Sequence, residues 1–342
     1  MKIFIRVDAS TTIGIGHLFR TLVLAEGLRP VSHDIIFLCQ DLSGLPVKRI
    51  MDLGFKLMFL PVVPSFEEEL PFIENKMKLE KPDWVIVDHY QATERYYLSL
   101  AKRGVKVLAI DDLNHTRFPV DILLNQNINA MQHNYIGRPD TVKLLGPQYA
   151  LIKAVYEQKK KEAKIRNLLK RVLVSMGGSD PDNQTLKVLK ALILLERELE
   201  IDVILGPAYK YRTSIEKIVS QGRAKCLIHH DLDNLSDVML RADLAIGAGG
   251  SSSLEMAVMK LPMIIMPVAE NQIGIAKCFH EKGAAVNAGW FEDTTEDDLV
   301  GIINNISDEQ LQEMSRIAAG LCEGTGVKSI VETMVSFAPV KK

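Results

Sequence analysis

A histidine stands directly after two closely spaced glycines in the segment Gly14-Ile15-Gly16-His17. This segment lies between an apolar run, Ile3–Val7, and an amphipathic helical pattern. Glycines at such a turn let the backbone bend tightly and point free N–H groups towards an anion. The dipole of the following helix disfavours the imidazolium form of His17, which makes this residue a candidate general base. The alternative is a histidine that starts a helix and bonds a backbone group.

A second glycine loop has the composition of a phosphate-binding segment. It follows the apolar run Asp243–Ala248 and contains Gly249, Gly250, Ser251 and Ser252. Amide and hydroxyl donors of this kind bind phosphate oxygens, and Glu255, one turn into the next helix, can accept both hydroxyl groups of a ribose. The alternative for Glu255 is a capping box with Ser252. Asn271, after the run Met263–Val268, adds a neutral polar contact.

Acidic and aromatic side chains follow other apolar runs. Asp88 and Tyr90 come at the end of Trp84–Asp88, and the pair Asp111-Asp112 comes after Val105–Ile110. The carboxyl ends of parallel strands meet at one edge of a sheet, so these residues can lie near His17. Acids at strand ends also cap helices, and this alternative stays open for each of them.

The sequence lacks several motifs that mark dinucleotide-binding, phosphate-binding and nucleophile-elbow sites. Phe19 stands where a dinucleotide fingerprint needs its third glycine, and neither a G-x-x-x-x-G-K-[ST] loop nor a G-x-S-x-G elbow occurs. The pair Asp180-Pro-Asp182 resembles a metal-binding D-x-D, but a proline flanked by acids is also ordinary capping chemistry at a helix start. We therefore expect neither a metal nor a cofactor. His229 and His230 are interpreted as surface residues at a strand end.

Short apolar runs alternate with helical patterns along the whole chain, which indicates parallel sheets covered by helices on both faces. The predicted strands are 3–7, 34–39, 56–63, 84–88, 105–110 and 122–124 in the first half, and 171–175, 201–205, 226–229, 243–248, 263–268 and 284–286 in the second. One helical face carries Leu18, Leu22, Ala25 and Leu28. The fold class is thus α/β, with doubly wound, Rossmann-like parallel sheets.

The charged segment Tyr156–Lys170 is the predicted boundary between two domains, 1–155 and 156–342. The alternative is a solvated helix inside one domain. Each half opens with a strand, a glycine-containing loop and a helix. Two such domains facing each other would form a cleft lined by the carboxyl ends of both sheets.

Composition narrows the class of protein. The chain has 342 residues, with 41 Lys and Arg against 43 Asp and Glu, a net charge of −2, and 47% hydrophobic residues. These values argue against a disordered chain and against a nucleic-acid partner, which favours a basic face. The four scattered cysteines fit reduced thiols. A charged residue close to the start of the sequence argues against a signal peptide. The apolar runs are too short to span a bilayer. We expect a cytoplasmic protein without stable membrane insertion; the sequence makes no prediction of its oligomeric state.

The segment Arg6–Ala25 (RVDASTTIGIGHLFRTLVLA) resembles the opening of the UDP-sugar hydrolases of pseudaminic acid biosynthesis. The resemblance continues in order through 87–90, 109–112, 145–151 and 247–255, and through Asn271-Gln272. It implies the GT-B fold, which these hydrolases share with the N-acetylglucosaminyltransferase that completes lipid II. It also implies that His17 is the catalytic residue and that Glu255 and Asn271 contact the UDP-sugar. Spore-coat polysaccharide proteins are similar as well. In GT-B relatives the final helix, here 327–337, packs back on the first domain.

The resulting hypothesis is metal-independent hydrolysis of a UDP-linked diacetamido-trideoxy-hexose. The candidate substrate-binding residues are Gly14, Gly16, Asp88, Tyr90, Gly249, Gly250, Ser251, Ser252, Glu255 and Asn271. His17 would deprotonate a water that attacks the anomeric carbon opposite UDP, with inversion. Two alternatives are a glycosyltransferase with the same fold and a non-catalytic UDP-sugar-binding protein of surface or spore-coat polysaccharide assembly.

Overall fold

The structure is a computed structural model that describes residues 1–9, 15–40, 45–221 and 224–337. The chain forms two compact units. The first comprises Met1–Ile152 together with the chain from Thr325 onward, and the second comprises Lys153–Gly324. The segment Tyr156–Lys170 belongs to the second unit.

The first unit is built on a parallel sheet of seven strands. These are β1 (Lys2–Val7), β2 (Asp34–Cys39), β3 (Lys56–Phe59), β4 (Trp84–Asp88), β5 (Lys106–Ile110), β6 (Ile122–Asn125) and β7 (Val142–Leu145). Their order in the sheet is β3-β2-β1-β4-β5-β6-β7. The helices that follow the early strands are α1 (Gly16–Leu28), α2 (Leu45–Asp52), α3 (Leu70–Glu80) and α4 (Glu94–Ala101). The central strands are buried on both faces, as continuous apolar runs require.

Sequence and structure agree closely on this unit, with one exception. The predicted apolar face of α1 is confirmed, because Leu18, Leu22, Ala25 and Leu28 all lie in the core between helix and sheet. No strand was expected over Val142–Leu145, and this expectation is wrong. β7 is only four residues long and is mostly half-buried at the sheet edge, so it lacks the apolar run that marks a buried strand.

The second unit repeats the architecture with six parallel strands in the order β10-β9-β8-β11-β12-β13. The strands are β8 (Arg171–Ser175), β9 (Glu200–Leu205), β10 (Lys225–His230), β11 (Leu244–Gly247), β12 (Met263–Ile265) and β13 (Ala285–Asn287). Its helices are α5 (Ala154–Lys159), α6 (Gln184–Leu194), α7 (Arg212–Gln221), α8 (Ser236–Arg241), α9 (Ser252–Val258), α10 (Glu270–Glu281), α11 (Glu296–Asn305) and α12 (Asp308–Leu321). Two doubly wound parallel sheets are therefore confirmed.

The last helix, α13 (Gly326–Ser336), packs on α1 in the first unit. Ile330 and Met334 are fully buried members of that unit's core. A Cβ atom at Gly326 would lie 2.3 Å from the backbone nitrogen of Ala150, and one at Gly27 would lie 2.1 Å from Cγ1 of Val327. Glycine at these two positions allows the close approach of α13.

Each sheet has one point at which the strand order reverses, between β1 and β4 in the first unit and between β8 and β11 in the second. At such a point the connections leave for opposite faces of the sheet and open a crevice at the carboxyl ends of the strands. The connection after β1 leads to His17, and that after β11 leads to Glu255. The fold thus places both candidate residues beside a switch point of their own unit.

Arg166 anchors the segment that precedes β8. Its side chain is buried, and its Nε donates to the carbonyl of Ala242 at 2.9 Å while Nη2 donates to that of Met239 at 2.7 Å. These carbonyls belong to the carboxyl end of α8, where helical C=O groups lack intrahelical partners. Burial lowers the pKa of Arg166. The guanidinium therefore caps α8 from the interior of the unit.

Replacing Arg166 with methionine should lower the free energy of unfolding by about 2 kcal/mol or more, since it keeps an apolar stem but leaves buried carbonyls without donors. Chemical denaturation measures this loss. Arg212→Met is the matched control, because Arg212 is exposed and forms an ion pair with Glu216 one turn away; its loss should be about 0.5 kcal/mol or less. Equal losses in the two variants would contradict the capping role.

Candidate active site

His17 is the second residue of α1, and its side chain is buried beside the end of β4. Its Nδ1 lies 2.6 Å from Oδ1 of Asp88, the last residue of β4. An ionised carboxylate can only accept, so Nδ1 carries a proton, and in the neutral imidazole Nε2 then keeps its lone pair. No residue in the described ranges donates to Nε2. A histidine held in this tautomer by a carboxylate has the geometry of a general base.

Arg20, one turn further along α1, clamps the same carboxylate. Its Nε donates to Oδ2 of Asp88 and its Nη2 to Oδ1, both at 2.6 Å. Burial alone would raise the pKa of Asp88, but the charge of Arg20 and the hydrogen bonds from Arg20 and His17 outweigh it and hold this pKa well below its usual range. Asp88 therefore stays an ionised acceptor for the Nδ1–H group of His17.

The same arginine extends the network to a second carboxylate. Nη1 of Arg20 donates to Asp112 at 2.8 Å, and Asp112 also accepts from the hydroxyl of Tyr90 and from Nδ2 of Asn127, each at 2.8 Å. Burial, followed by the charge of Asp112, raises the pKa of Tyr90, so this residue remains a neutral phenol. Its ring meets the ring of His17 edge-on, with 4.5 Å between centroids. We call the six residues His17, Arg20, Asp88, Tyr90, Asp112 and Asn127 the His17 cluster.

The structure brings three of the residues singled out in the sequence, Asp88, Tyr90 and Asp112, to His17. It separates Asp111 from them, because the Asp111 carboxylate accepts from the backbone N–H of Asn114 at 2.6 Å and from the hydroxyl of Tyr135 at 2.7 Å. Asp111 thus stabilises the turn after β5. Gly16 is exposed at the start of α1, and Gly14 lies outside the described residues.

Sequence reasoning missed Arg20 and Asn127 as members of the cluster. Arg20 stands three residues after His17 and therefore on the same side of the helix, between positions whose apolar side chains face the core. A lone arginine at such a position predicts acidic partners nearby, since buried charges need partners. Asn127 had no comparable signal, because it follows β6 in a run of several polar amides.

A second buried polar cluster lies around the ends of β1 and β4. Nε of Arg6 donates to Glu69 and its Nη2 contacts Asp8, each at 2.7 Å, while Tyr96 donates to Glu69 at 2.7 Å. His89 lies 3.3 Å from Asp8. These carboxylates are occupied by donors of their own unit, so the cluster holds the ends of the strands together.

In the second unit, Glu255 lies on α9 and is partly buried. Its Oε2 accepts a hydrogen bond from the hydroxyl of Tyr156 at 3.1 Å, and burial raises the pKa of Glu255 to about 7. The capping-box alternative with Ser252 is wrong, because Ser252 is already the first residue of α9 and the carboxylate turns to Tyr156 instead. Oε1 of Glu255 accepts no hydrogen bond within the described ranges.

The glycine loop before α9 adopts a conformation that needs glycine. Gly249 has a φ of +82°, and a Cβ atom there would lie 2.7 Å from Cγ2 of Ile265. The carbonyl of Gly250 accepts from the hydroxyl of Ser253 at 2.7 Å, while Ser251 is exposed. The backbone N–H groups of Gly249, Gly250 and Ser251 have no acceptor among the residues that the structure describes. They are available to an anion.

Asn271 is the second residue of α10 and follows β12, as the sequence indicated. Its neighbour Gln272 is a capping residue, because its Oε1 accepts from the backbone N–H groups of Val268 at 2.8 Å and Ala269 at 3.1 Å. The first turn of α10 thus carries one candidate contact residue and one structural residue.

Asp180 and His229, which were also considered from the sequence, have partners within the second unit. Asp180 accepts from the backbone N–H groups of Gln184 at 2.7 Å and Thr185 at 2.8 Å. These bonds at the start of α6 correspond to the capping alternative for Asp180-Pro-Asp182. His229 lies on β10 and contacts Asp202 at 2.7 Å. Within the described ranges, no three His, Cys, Asp or Glu residues are grouped to hold a metal ion, and no helix there is long and apolar enough to cross a membrane.

Several curated proteins are similar to the chain. An uncharacterized protein of Methanocaldococcus jannaschii is 29% identical over 276 residues, which are 78% of this chain and 55% of that protein, so the chain spans about half the length of this relative. The UDP-2,4-diacetamido-2,4,6-trideoxy-beta-L-altropyranose hydrolase of Campylobacter jejuni is 28% identical over 290 residues, or 84% of this chain and 98% of the hydrolase.

Among solved structures, MurG of Acinetobacter baumannii superimposes with a TM-score of 0.73 at 17% identity, over 98% of this chain and all of MurG. This similarity confirms the α/β GT-B fold. Residues 148–334, more than half of the chain, match the family model described as the glycosyltransferase family 28 C-terminal domain. The protein, with its two doubly wound sheets, is therefore a member of this glycosyltransferase 28 family.

Proposed function

We propose that the protein hydrolyses a UDP-linked diacetamido-trideoxy-hexose at its anomeric carbon, releasing UDP and the free sugar for pseudaminic acid synthesis. The observation that carries this proposal is the pairing of His17 with Asp88, which leaves Nε2 of His17 without a described donor. The name of the Campylobacter jejuni relative supplies the substrate class.

In the proposed reaction, Nε2 of His17 removes a proton from a water molecule while the water oxygen bonds to the anomeric carbon. The bond between that carbon and the UDP oxygen breaks, and its electron pair leaves with UDP. Attack opposite the leaving group inverts the configuration. The imidazolium that forms on His17 is stabilised by the carboxylate of Asp88, as in other histidine–carboxylate pairs.

The second unit supplies the nucleotide contacts in this proposal. The backbone N–H groups of Gly249, Gly250 and Ser251, with the hydroxyl groups of the loop, would bind the diphosphate and carry the charge that develops on UDP. Oε1 of Glu255 would accept from the ribose, and Asn271 would add a polar contact. Neutral amide donors are sufficient for this task, and no step requires a metal ion or a cofactor.

A second candidate function is glycosyl transfer, which the family assignment and the likeness to MurG favour. The same base would then deprotonate an acceptor hydroxyl in place of water. A third candidate is a UDP-sugar-binding protein without turnover.

One experiment separates the three functions. The protein is mixed with the UDP-diacetamido-sugar without an acceptor, and UDP and free sugar are followed by NMR. We expect prompt release; turnover only with an added acceptor would indicate the transferase, and binding alone the third function.

Replacing His17 with leucine should lower kcat for UDP release by about a hundredfold or more, because the general base is lost. Asp88 keeps both hydrogen bonds from Arg20, so the fold should persist and the affinity for UDP should not change. The matched control is His33→Leu, since His33 is exposed in the same unit. Normal turnover by His17→Leu would refute the assignment of His17.

Replacing Asp88 with asparagine should also lower kcat, by about a hundredfold, because the amide N–H would donate to Nδ1 of His17 and shift the proton to Nε2. The double variant with His17→Leu should be no slower than His17→Leu alone, since both changes remove the same base. Additive losses of kcat would show that Asp88 acts independently of His17. Thermal unfolding, measured in parallel, separates lost orientation from lost stability.

A further inference from the structure

Tyr156 joins three elements of the second unit through one hydroxyl group. It lies on α5, and only 1% of its surface is exposed. Its hydroxyl accepts from the backbone N–H of Leu235, just before α8, at 2.9 Å. The same hydroxyl contacts Oε2 of Glu255 on α9 at 3.1 Å. The hydroxyl thus lies between a backbone donor and a carboxylate.

The direction of these two hydrogen bonds is fixed by chemistry. A backbone N–H can only donate, so the hydroxyl oxygen of Tyr156 accepts from Leu235. The single hydroxyl proton is then left for Oε2 of Glu255. Burial raises the pKa of Tyr156, which keeps that proton on the tyrosine. With Glu255 ionised, the hydroxyl oxygen accepts at the first contact and its proton is donated at the second.

This contact also affects the charge of Glu255. Burial raises the pKa of the carboxyl group to about 7, whereas the hydrogen bond from Tyr156 opposes that rise. The hydroxyl therefore favours the ionised carboxylate and occupies one of its two oxygens. The other oxygen, Oε1, accepts nothing within the described part of the chain. A carboxylate held in this way offers one oriented acceptor.

We propose that Tyr156 is a positioning residue for ribose recognition, which holds Oε2 of Glu255 so that Oε1 meets the 2′- and 3′-hydroxyl groups of a bound ribonucleotide. This inference rests on the proposed function, in which Glu255 contacts the ribose. Tyr156 itself touches no ligand in this scheme. Its effect is a preference for ribonucleotides over deoxyribonucleotides, and a purely structural tyrosine would not change that preference.

The test is the equilibrium binding of UDP and of 2′-deoxy-UDP to the full chain. The wild-type protein should prefer UDP by about tenfold, as expected for a hydrogen bond to a charged group. Tyr156→Phe keeps the ring and its packing but removes the hydroxyl. It should lower the affinity for UDP by about three- to tenfold and lower that for 2′-deoxy-UDP, which keeps only the 3′-hydroxyl group, by a smaller factor. Thermal unfolding checks that the variant is folded.

Three further variants make the outcomes distinct. Glu255→Gln should also remove the preference for UDP, and the double variant with Tyr156→Phe should lose no more than Glu255→Gln alone. Tyr211→Phe is the matched control, because the hydroxyl of Tyr211 donates to the carbonyl of Pro181 at the surface, away from Glu255. If Glu255→Gln loses the preference while Tyr156→Phe keeps it, the role of Tyr156 is refuted and the proposed function stands. If the wild-type protein shows no preference, the ribose role of Glu255 fails, and the inference fails with it.

Discussion

The ion pair between Asp88 and Arg20 is the contact on which the rest of the His17 cluster depends. Two buried charges cost desolvation energy that only close geometry and further hydrogen bonds offset. Here two nitrogens of the Arg20 guanidinium donate to the two oxygens of Asp88, both at 2.6 Å, and the remaining nitrogen donates to Asp112. Because Asp88 is kept ionised, the tautomer of His17 is fixed; because Asp112 is kept in place, Tyr90 and Asn127 are oriented. One arginine thus organises the ends of three neighbouring strands.

The two units use different electrostatics. The candidate residues of the first unit include full charges around one histidine, whereas those of the second are backbone amides and one partly buried carboxylate, Glu255. Amides aimed at an anion need no desolvated counter-charge, since their partial charges are fixed by the backbone. In the proposed function, amide donors bind the diphosphate, which is compatible with a near-neutral protein of 41 basic and 43 acidic residues.

Much of the fold could be predicted from the sequence, because buried parallel strands are continuous apolar runs and α1 shows its apolar face at helical spacing. β7 could not, since an edge strand of four residues carries no such pattern. The candidate site was partly predictable: glycine loops and acids at strand ends indicated where it would lie. The role of each acid was not, because Asp111 and Asp112 are adjacent in sequence and differ only in which side chains reach them. The same applies to Glu255, whose spacing fitted a cap while its tyrosine partner lies 99 residues away.

The return of α13 to the first unit has a consequence for how the chain can be divided. The polypeptide leaves the first unit after Ile152 and re-enters it at Thr325, so the second unit is an insertion in the first. A cut at residue 152 would strip Ile330 and Met334 from the core beside α1 and expose an apolar surface. Both ends of the second unit lie where the chain passes from one unit to the other. The second unit could therefore be removed or exchanged as one continuous segment, whereas the first unit needs both of its chain segments.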